Sequence, residues 1–169
     1  MIILGIDPGL IVTGYGIIET IGNKNDIIDY GTIMPVRTDN LSLRLNTIYK
    51  DLSYIIDKYK PSIMAIEEVF YGKNVKSALL LGHARGASMV CAANNGMPVF
   101  EYSARKVKQS ITGNGAAHKS QVQYMISKEF NINNDNFPLD ASDALAIALC
   151  HLNQLKINEL WSNIFQEYY

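Results

Sequence analysis

Met1-Ile2-Ile3-Leu4-Gly5-Ile6-Asp7-Pro8-Gly9 is the stretch on which the fold of this chain turns. From Met1 to Ile6 it is apolar, interrupted only by Gly5, with no polar alternation. A short run of that kind predicts a strand covered on both faces, as at the centre of an α/β sheet. Asp7 closes the run and Pro8-Gly9 turn the backbone away, so an acid stands at a strand's carboxyl end, where sheet proteins seat chemistry on rigid backbone. The plain alternative is a turn, since Asp, Pro and Gly commonly close strands with no further role. Three later carboxylates separate the two readings.

Downstream, Val12 to Glu19 reads as a second strand whose Gly14 and Gly16 suggest a bulge or a close backbone approach. Gly22 to Asn25 is a hairpin connection and Ile27 to Met34 a third strand, so the short spacings predict an antiparallel meander. Asp39-Asn40 cap a helix over 41–59, with Leu41, Leu45, Ile48, Leu52, Ile55, Ile56 and Tyr59 on one stripe. Ile63 to Ile66 is a short buried strand ending in Glu67. A strand-helix-strand crossover would lay it parallel to the first, bringing Asp7 and Glu67 to one sheet edge.

A small-residue helix follows over 75–94, and its Gly82 and Gly86 each cost about 1 kcal/mol against alanine. They are expected to meet another backbone, either the sheet or a second subunit. Pro98 to Tyr102 is the fifth strand, Ser103 caps a short helix, Thr112 to Gly115 break it, and helix resumes from Lys119 to Phe130. After a turn-rich segment comes an alanine-rich helix from Asp140, and Ile157 to Tyr169 is a short helix or frayed end. The expected architecture is α/β: a mixed five-stranded sheet flanked by helices, forming one domain over 1–156 with 157–169 as its tail.

The 169 residues, 48% hydrophobic and 18% charged, suit one globular domain and not a disordered chain. No apolar run approaches the roughly 18 to 20 residues of a membrane span. The start lacks the basic flank of a secretory signal, and Cys91 and Cys150 have no metal-type spacing. A cytoplasmic protein with reduced core thiols is expected. The net charge is −1, yet from Lys73 to Lys128 eight basic residues face only Glu101. That basic middle is a candidate polyanion face; lysines solvated on exposed helices are the alternative.

Asp140 and Asp143 are three apart at a helix start and share one face. Acids in a first turn are often dipole partners only, which suffices for Asp140 alone. Asp143, however, precedes seven apolar residues, and a carboxylate entering the interior needs compensation. With no basic residue between 129 and 155, a metal ion is the economical partner. Oxygen donors without a Cys or His cluster suit Mg²⁺ or Mn²⁺. Two strand-end acids plus a helical pair resemble a site for two ions about 4 Å apart, the arrangement that hydrolyses phosphodiesters. His83 and His151 read as structural or surface residues; His118 is either a phosphate or proton-transfer group or an ordinary loop histidine.

The similarity goes beyond fold. Ile3 to Gly9 with Thr13-Gly14-Tyr15-Gly16, Ala65 to Phe70, Lys73-Asn74 and Ser77-Ala78-Leu79 closely resemble the RuvC family of bacterial Holliday-junction resolvases. So do Gly82 to Gly86, Pro98 to Tyr102, Val107-Lys108-Gln109, Lys119 to Gln123 and Asp140 to Ala146, in order from about residue 2 to 152. The resemblance implies a ribonuclease-H-like fold and an Mg²⁺-dependent crossover junction endodeoxyribonuclease. Such an enzyme makes paired symmetric nicks that leave 5′-phosphate and 3′-hydroxyl ends. It further implies Asp7, Glu67, Asp140 and Asp143 as the catalytic, metal-binding acids, two ions per site, and Mn²⁺ as a substitute.

Lys108 and Lys119 match basic residues the family uses near the scissile phosphate, and Phe70 an aromatic placed against bases. Lys73, Lys76, Arg85 and Arg105 complete the expected DNA-binding set. A homodimer is implied, with the 75–94 helix as candidate interface, as are the partners RuvA and RuvB. Strong basicity is common in that family and absent here, and His118 stands where an acid is common. Competing readings are a related nuclease acting on ribosomal RNA precursors, an actin-like ATPase or sugar-kinase lobe, and a catalytically dead DNA-binding module. The second of these is expected to lack room for its other lobe in 169 residues.

Overall fold

The computed structural model describes residues 1–68, 75–133 and 137–167, with side chains as far as 159. In chain order the elements are β1 (Ile2–Asp7), β2 (Thr13–Ile21), β3 (Lys24–Ile33), α1 (Leu41–Tyr59), β4 (Ile63–Glu67), α2 (Val75–Asn94), β5 (Val99–Tyr102), α3 (Ala104–Thr112), α4 (Lys119–Glu129) and α5 (Leu139–Glu167). One sheet holds the strands in the order β3-β2-β1-β4-β5. β1 pairs antiparallel with β2 and parallel with β4, which is parallel to β5. This is the expected ribonuclease-H-like mixed sheet, and β1 lies at its centre.

Alternation along β1 and β4 sorts the core into two layers. Ile3 and Ala65 pack with α3, α4 and α5, whereas Leu4, Ile6, Met64 and Ile66 pack with α1 and α2. Ile3, Leu4, Ile6, Ala65 and Ile66 have no exposed surface, so the absence of alternation in the sequence reflects cover on both faces. By the same period of two, Asp7 and Glu67 belong to the face that α5 covers.

Local signals account for the helix ends. The Asn40 side chain accepts from the Leu43 N–H (3.0 Å) at the start of α1, and Ser103 accepts from Lys106 (3.3 Å) at the start of α3. Lys60, at φ 49°, ends α1 before Pro61. Two expectations need correction. The β2–β3 connection is tighter than read, with pairing already at Ile21–Lys24, so Gly22-Asn23 alone make the turn. The tail continues α5 to Glu167 without a break.

The α2 glycines also differ from one of the two readings offered for them. A Cβ at Gly82 or Gly86 would meet nothing within 4 Å, so neither packs on the sheet. Val75, Leu79 and Val90 on the same helix are exposed. Cys91 and Cys150 are buried and unpaired, as expected. Among the described residues no helix is long and apolar enough to cross a membrane.

Candidate active site

Parallel pairing puts Ile6 beside Ile66, so Asp7 and Glu67, one residue on, leave adjacent strand ends together. The Glu68 N–H donates to the Tyr102 carbonyl (2.9 Å), which extends the β4 backbone past Glu67 and holds it. Beyond Asp7 the turn is closed by Thr13, whose Oγ1 donates to the Gly9 carbonyl (2.7 Å) and accepts from the Gly9 N–H (3.2 Å). Thr13 is fully buried there.

Glycines bring the second pair of acids in. α5 crosses β1 and β2 so closely that a Cβ on Gly5 would lie 2.0 Å from the Ala144 carbonyl oxygen. On Gly14 it would lie 2.0 Å from the carbonyl oxygen of Asp140 itself. Gly14 is the β2 partner of Asp7. The first turn of α5 is therefore pressed onto the sheet, its Asp140 backbone against Gly14 and its Asp143 near enough for its charge to act on Asp7, because no side chain intervenes.

The acids perturb one another strongly. Asp7 is pushed up to about 8, chiefly by burial, then by the charge of Glu67, a hydrogen bond to Glu67 and the charge of Asp143. Burial likewise raises Glu67 and Asp143, and Asp140 adds its charge against Asp143. For all three the direction is the same: burial without an external cation favours the neutral acid. A cation is present after all, and it comes from the chain: Lys119 Nζ lies 2.6 Å from Asp143 Oδ2. Reading only the neighbouring sequence had missed it, because α4 delivers Lys119 from 24 residues away. Among the described residues no three His, Cys, Asp or Glu side chains gather into a cluster that could hold a metal ion. Lys119 does part of the neutralising that a metal ion would do.

These shifts fix a pH dependence. Below pH 4 Asp7 is protonated folded or unfolded, so its contribution to stability is fully present. As pH rises, the unfolded chain releases the proton near 3.8 while the folded one keeps it to about 8. Metal-free stability should thus fall between those values, by up to about 1.4 kcal/mol per pH unit. Melting temperatures in EDTA at pH 5, 6.5 and 8 test this, and Asp7→Asn should flatten the trend.

Cations flank the acids. A small pocket lined by Glu67, Lys108, Lys119 and Asp143 opens on one side. Next to it a groove of about 760 Å³ is lined by Glu68, Arg105, Lys108, Gln109 and the 114–116 loop. Gln109 shapes that loop, donating to the Gly113 carbonyl (2.7 Å) and accepting from the Gly115 N–H (3.0 Å).

Of the other predicted residues, Lys76 is exposed in the first turn of α2, and Arg85 is held in an ion pair with Glu101. Phe70 and Lys73 lie outside the described residues. The His118 N–H donates to Gln121 (2.8 Å) at the start of α4, so its backbone has a structural task. His151 is buried between Phe100 and Tyr102, whose hydroxyl is 2.7 Å from its Nδ1. Sequence reasoning passed over Arg44, which lines a second groove together with Asp140. An arginine in the first turn of a helix, where cations oppose the dipole, was the available signal.

A family model described as "Crossover junction endodeoxyribonuclease RuvC" matches residues 3–151. Proteins of that name from Citrifermentans bemidjiense and Alkaliphilus oremlandii are 49% and 47% identical to the chain, covering 97% and 95% of it and 99% and 98% of themselves. The solved structure "T. thermophilus RuvC in complex with Holliday junction substrate" superposes with a TM-score of 0.86 at 29% identity, covering 94% of this chain and 96% of that one. The yeast mitochondrial Holliday junction resolvase Ydc2, at 14% identity and a TM-score of 0.73, shares the fold. With Asp7 and Glu67 at adjacent strand ends, Asp143 close to both, and a match over nearly its whole length, the chain belongs to the RuvC family of crossover junction endodeoxyribonucleases.

Proposed function

We propose that this chain resolves four-way DNA junctions by nicking two strands of like polarity, leaving 5′-phosphate and 3′-hydroxyl ends. The observation that carries the reading is that Asp7 and Glu67 leave adjacent strand ends with Asp143 close by, beside a pocket lined by Lys108 and Lys119. Burying carboxylates together is costly without a cation, and oxygen-only donors fit Mg²⁺, with Mn²⁺ as a substitute. The four acids would hold two ions. What such ions supply when bound is activation of the attacking water and neutralisation of the leaving oxygen.

The chain's own part is positional. Ion binding would need Asp7 and Glu67 both ionised and Lys119 drawn off Asp143, so that the carboxylate oxygens are free. Lys119, 60% exposed on its side chain, can then meet the scissile phosphate together with Lys108. Arg105 continues the positive lining along the larger groove, and Lys76, Lys73 and Phe70 are assigned DNA contacts through the family likeness alone. Arg85 is assigned there through whatever charge its pairing with Glu101 leaves. Two matched nicks call for a two-fold dimer. Exposed Val75, Leu79 and Val90 with the open Gly82 and Gly86 make α2 its surface. RuvA and RuvB are the proposed partners and the cytoplasm the proposed location, both through the family.

A synthetic four-way junction, a plain duplex and a structured RNA, each offered with Mg²⁺, test the reading. Paired nicks in the junction alone are expected; cutting of the RNA with the junction left intact would overturn it. Lys119→Met should slow junction cutting by about 10- to 100-fold, the range for partners that orient metal ligands. It should also lower the melting temperature in EDTA, because Asp143, its side chain only 15% exposed, loses the cation that compensates its charge. Single-turnover rates and a melting curve on the same preparation check both halves.

A further inference from the structure

The basic lining described so far is supplied by α3 and α4. A separate groove of about 510 Å³, sharing no lining residue with it, is formed by Asp140, the loop from Gly9 to Val12, Arg44, and Ser77, Leu80 and Leu81 of α2. That volume is within the range of small-ligand sites. Its walls are mostly apolar, and Ile11 is 53% exposed. Arg44 is the one cation among its lining residues.

Arg44 is held in place. Its Nη2 donates to the Leu10 carbonyl (2.6 Å), across 34 residues, anchoring the loop that follows Asp7. Its Nε is buried without a hydrogen-bond partner, and among the described residues no carboxylate forms an ion pair with it. Arginine carries five N–H donors, so a fixed guanidinium with one recorded acceptor keeps capacity for a bidentate anion. It also sits in the first turn of α1, where no acid offsets its charge. An unneutralised cation, an apolar wall and an acid of the reaction centre in one lining suit a nucleotide: phosphate on the guanidinium, sugar and base against Leu10, Ile11 and Leu80.

Resting on the reading of the chain as a junction nuclease, we propose that this groove seats the nucleotide of the cut strand that leaves the acids past Asp140 and not past Lys108 and Lys119. Arg44 takes its phosphodiester. Arg44 thus has two tasks, fixing the loop behind Asp7 and holding the strand in register.

Binding without cutting tests this, using the Asp7→Asn protein in EDTA and a labelled four-way junction. Adding Arg44→Met should lower the slope of log Kd against log salt by about 0.9, so the rise in Kd between 50 and 200 mM salt becomes about 3.5-fold smaller. Single methylphosphonates placed along the cut strand locate the contact. At one position near the scissile phosphate the neutral linkage should weaken the parent and cost nothing further in the Arg44→Met protein. An unchanged slope, or additive losses at every position, would overturn the assignment and leave Arg44 as a loop anchor only. Ile11→Glu puts a negative charge in the groove without touching the anchor, so it should weaken junction binding even if Arg44→Met folds poorly; parental affinity there also defeats the proposal. If the parent shows no preference for the junction over duplex, the broader reading fails instead, and the two failures are distinguishable.

Discussion

Asp7→Asn should abolish nicking, by more than about 100-fold, while junction binding stays within a few-fold of wild type. The substitution keeps the shape of the side chain and removes its ability to become an anion. Residues that merely orient metal ligands cost 10- to 100-fold when lost, so a direct ligand on the central strand should cost more. Asp7 has the most perturbed carboxyl of the site, with Glu67 hydrogen-bonded to it and Asp143 adding its charge. Glu67, its neighbour on the adjacent strand, therefore depends directly on it. Affinity should survive because the phosphate contacts assigned to Lys108, Lys119 and Arg105 are untouched, and such contacts dominate binding to DNA. The same variant should be more stable than wild type in EDTA at pH 8, where the buried Asp7 carboxyl is forced to ionise. A higher melting temperature beside absent nicking separates lost chemistry from lost folding. Nicking within tenfold of wild type would remove Asp7 from the mechanism.

Much of this was legible in the sequence because the elements concerned have unmixed local signals. The β1 run lacks alternation because α5 covers one face and α1 and α2 the other. The short gap from β2 to β3 permits only an antiparallel return, and the helix between β1's sheet and β4 forces a parallel one, which is what aligns Asp7 with Glu67. What could not be read was whatever depends on three-dimensional proximity without a sequence period. Lys119 is 24 residues from Asp143 along the chain, so no local pattern announces their pairing. Arg44 and the Leu10 carbonyl are likewise joined only by the packing of α1 against the post-Asp7 loop. The glycines were half legible. Those of β2 suggested a close backbone, correctly, whereas Gly82 and Gly86 of α2 looked the same in composition and face open space.

That difference between glycines makes the other large effect. Gly14→Ala should destabilise the protein by about 3 kcal/mol, at the upper end for overpacking, and slow cutting by about 100-fold. In an ordinary strand the replacement would help, since glycine loses more entropy on folding than alanine. Here the new Cβ would sit 2.0 Å from the Asp140 carbonyl oxygen and 2.4 Å from its carbon. Both atoms are backbone, so no rotamer change relieves the clash; the first turn of α5 must lift from the sheet. Because that turn carries Asp140 and Asp143, a shift of about 1 Å moves two of the four acids relative to Asp7, enough for losses of that order. Gly86→Ala is the control. With nothing within 4 Å of its Cβ and a helical backbone around it, it should stabilise the fold by about 0.4 to 1 kcal/mol. If α2 is the dimer surface, that gain in fold stability should be accompanied by weaker dimerisation in sedimentation experiments. Melting curves and single-turnover rates on both variants decide the matter: a Gly14→Ala protein as stable and as active as wild type would mean that α5 does not owe its position, or the acids theirs, to the bare glycine surface beneath it.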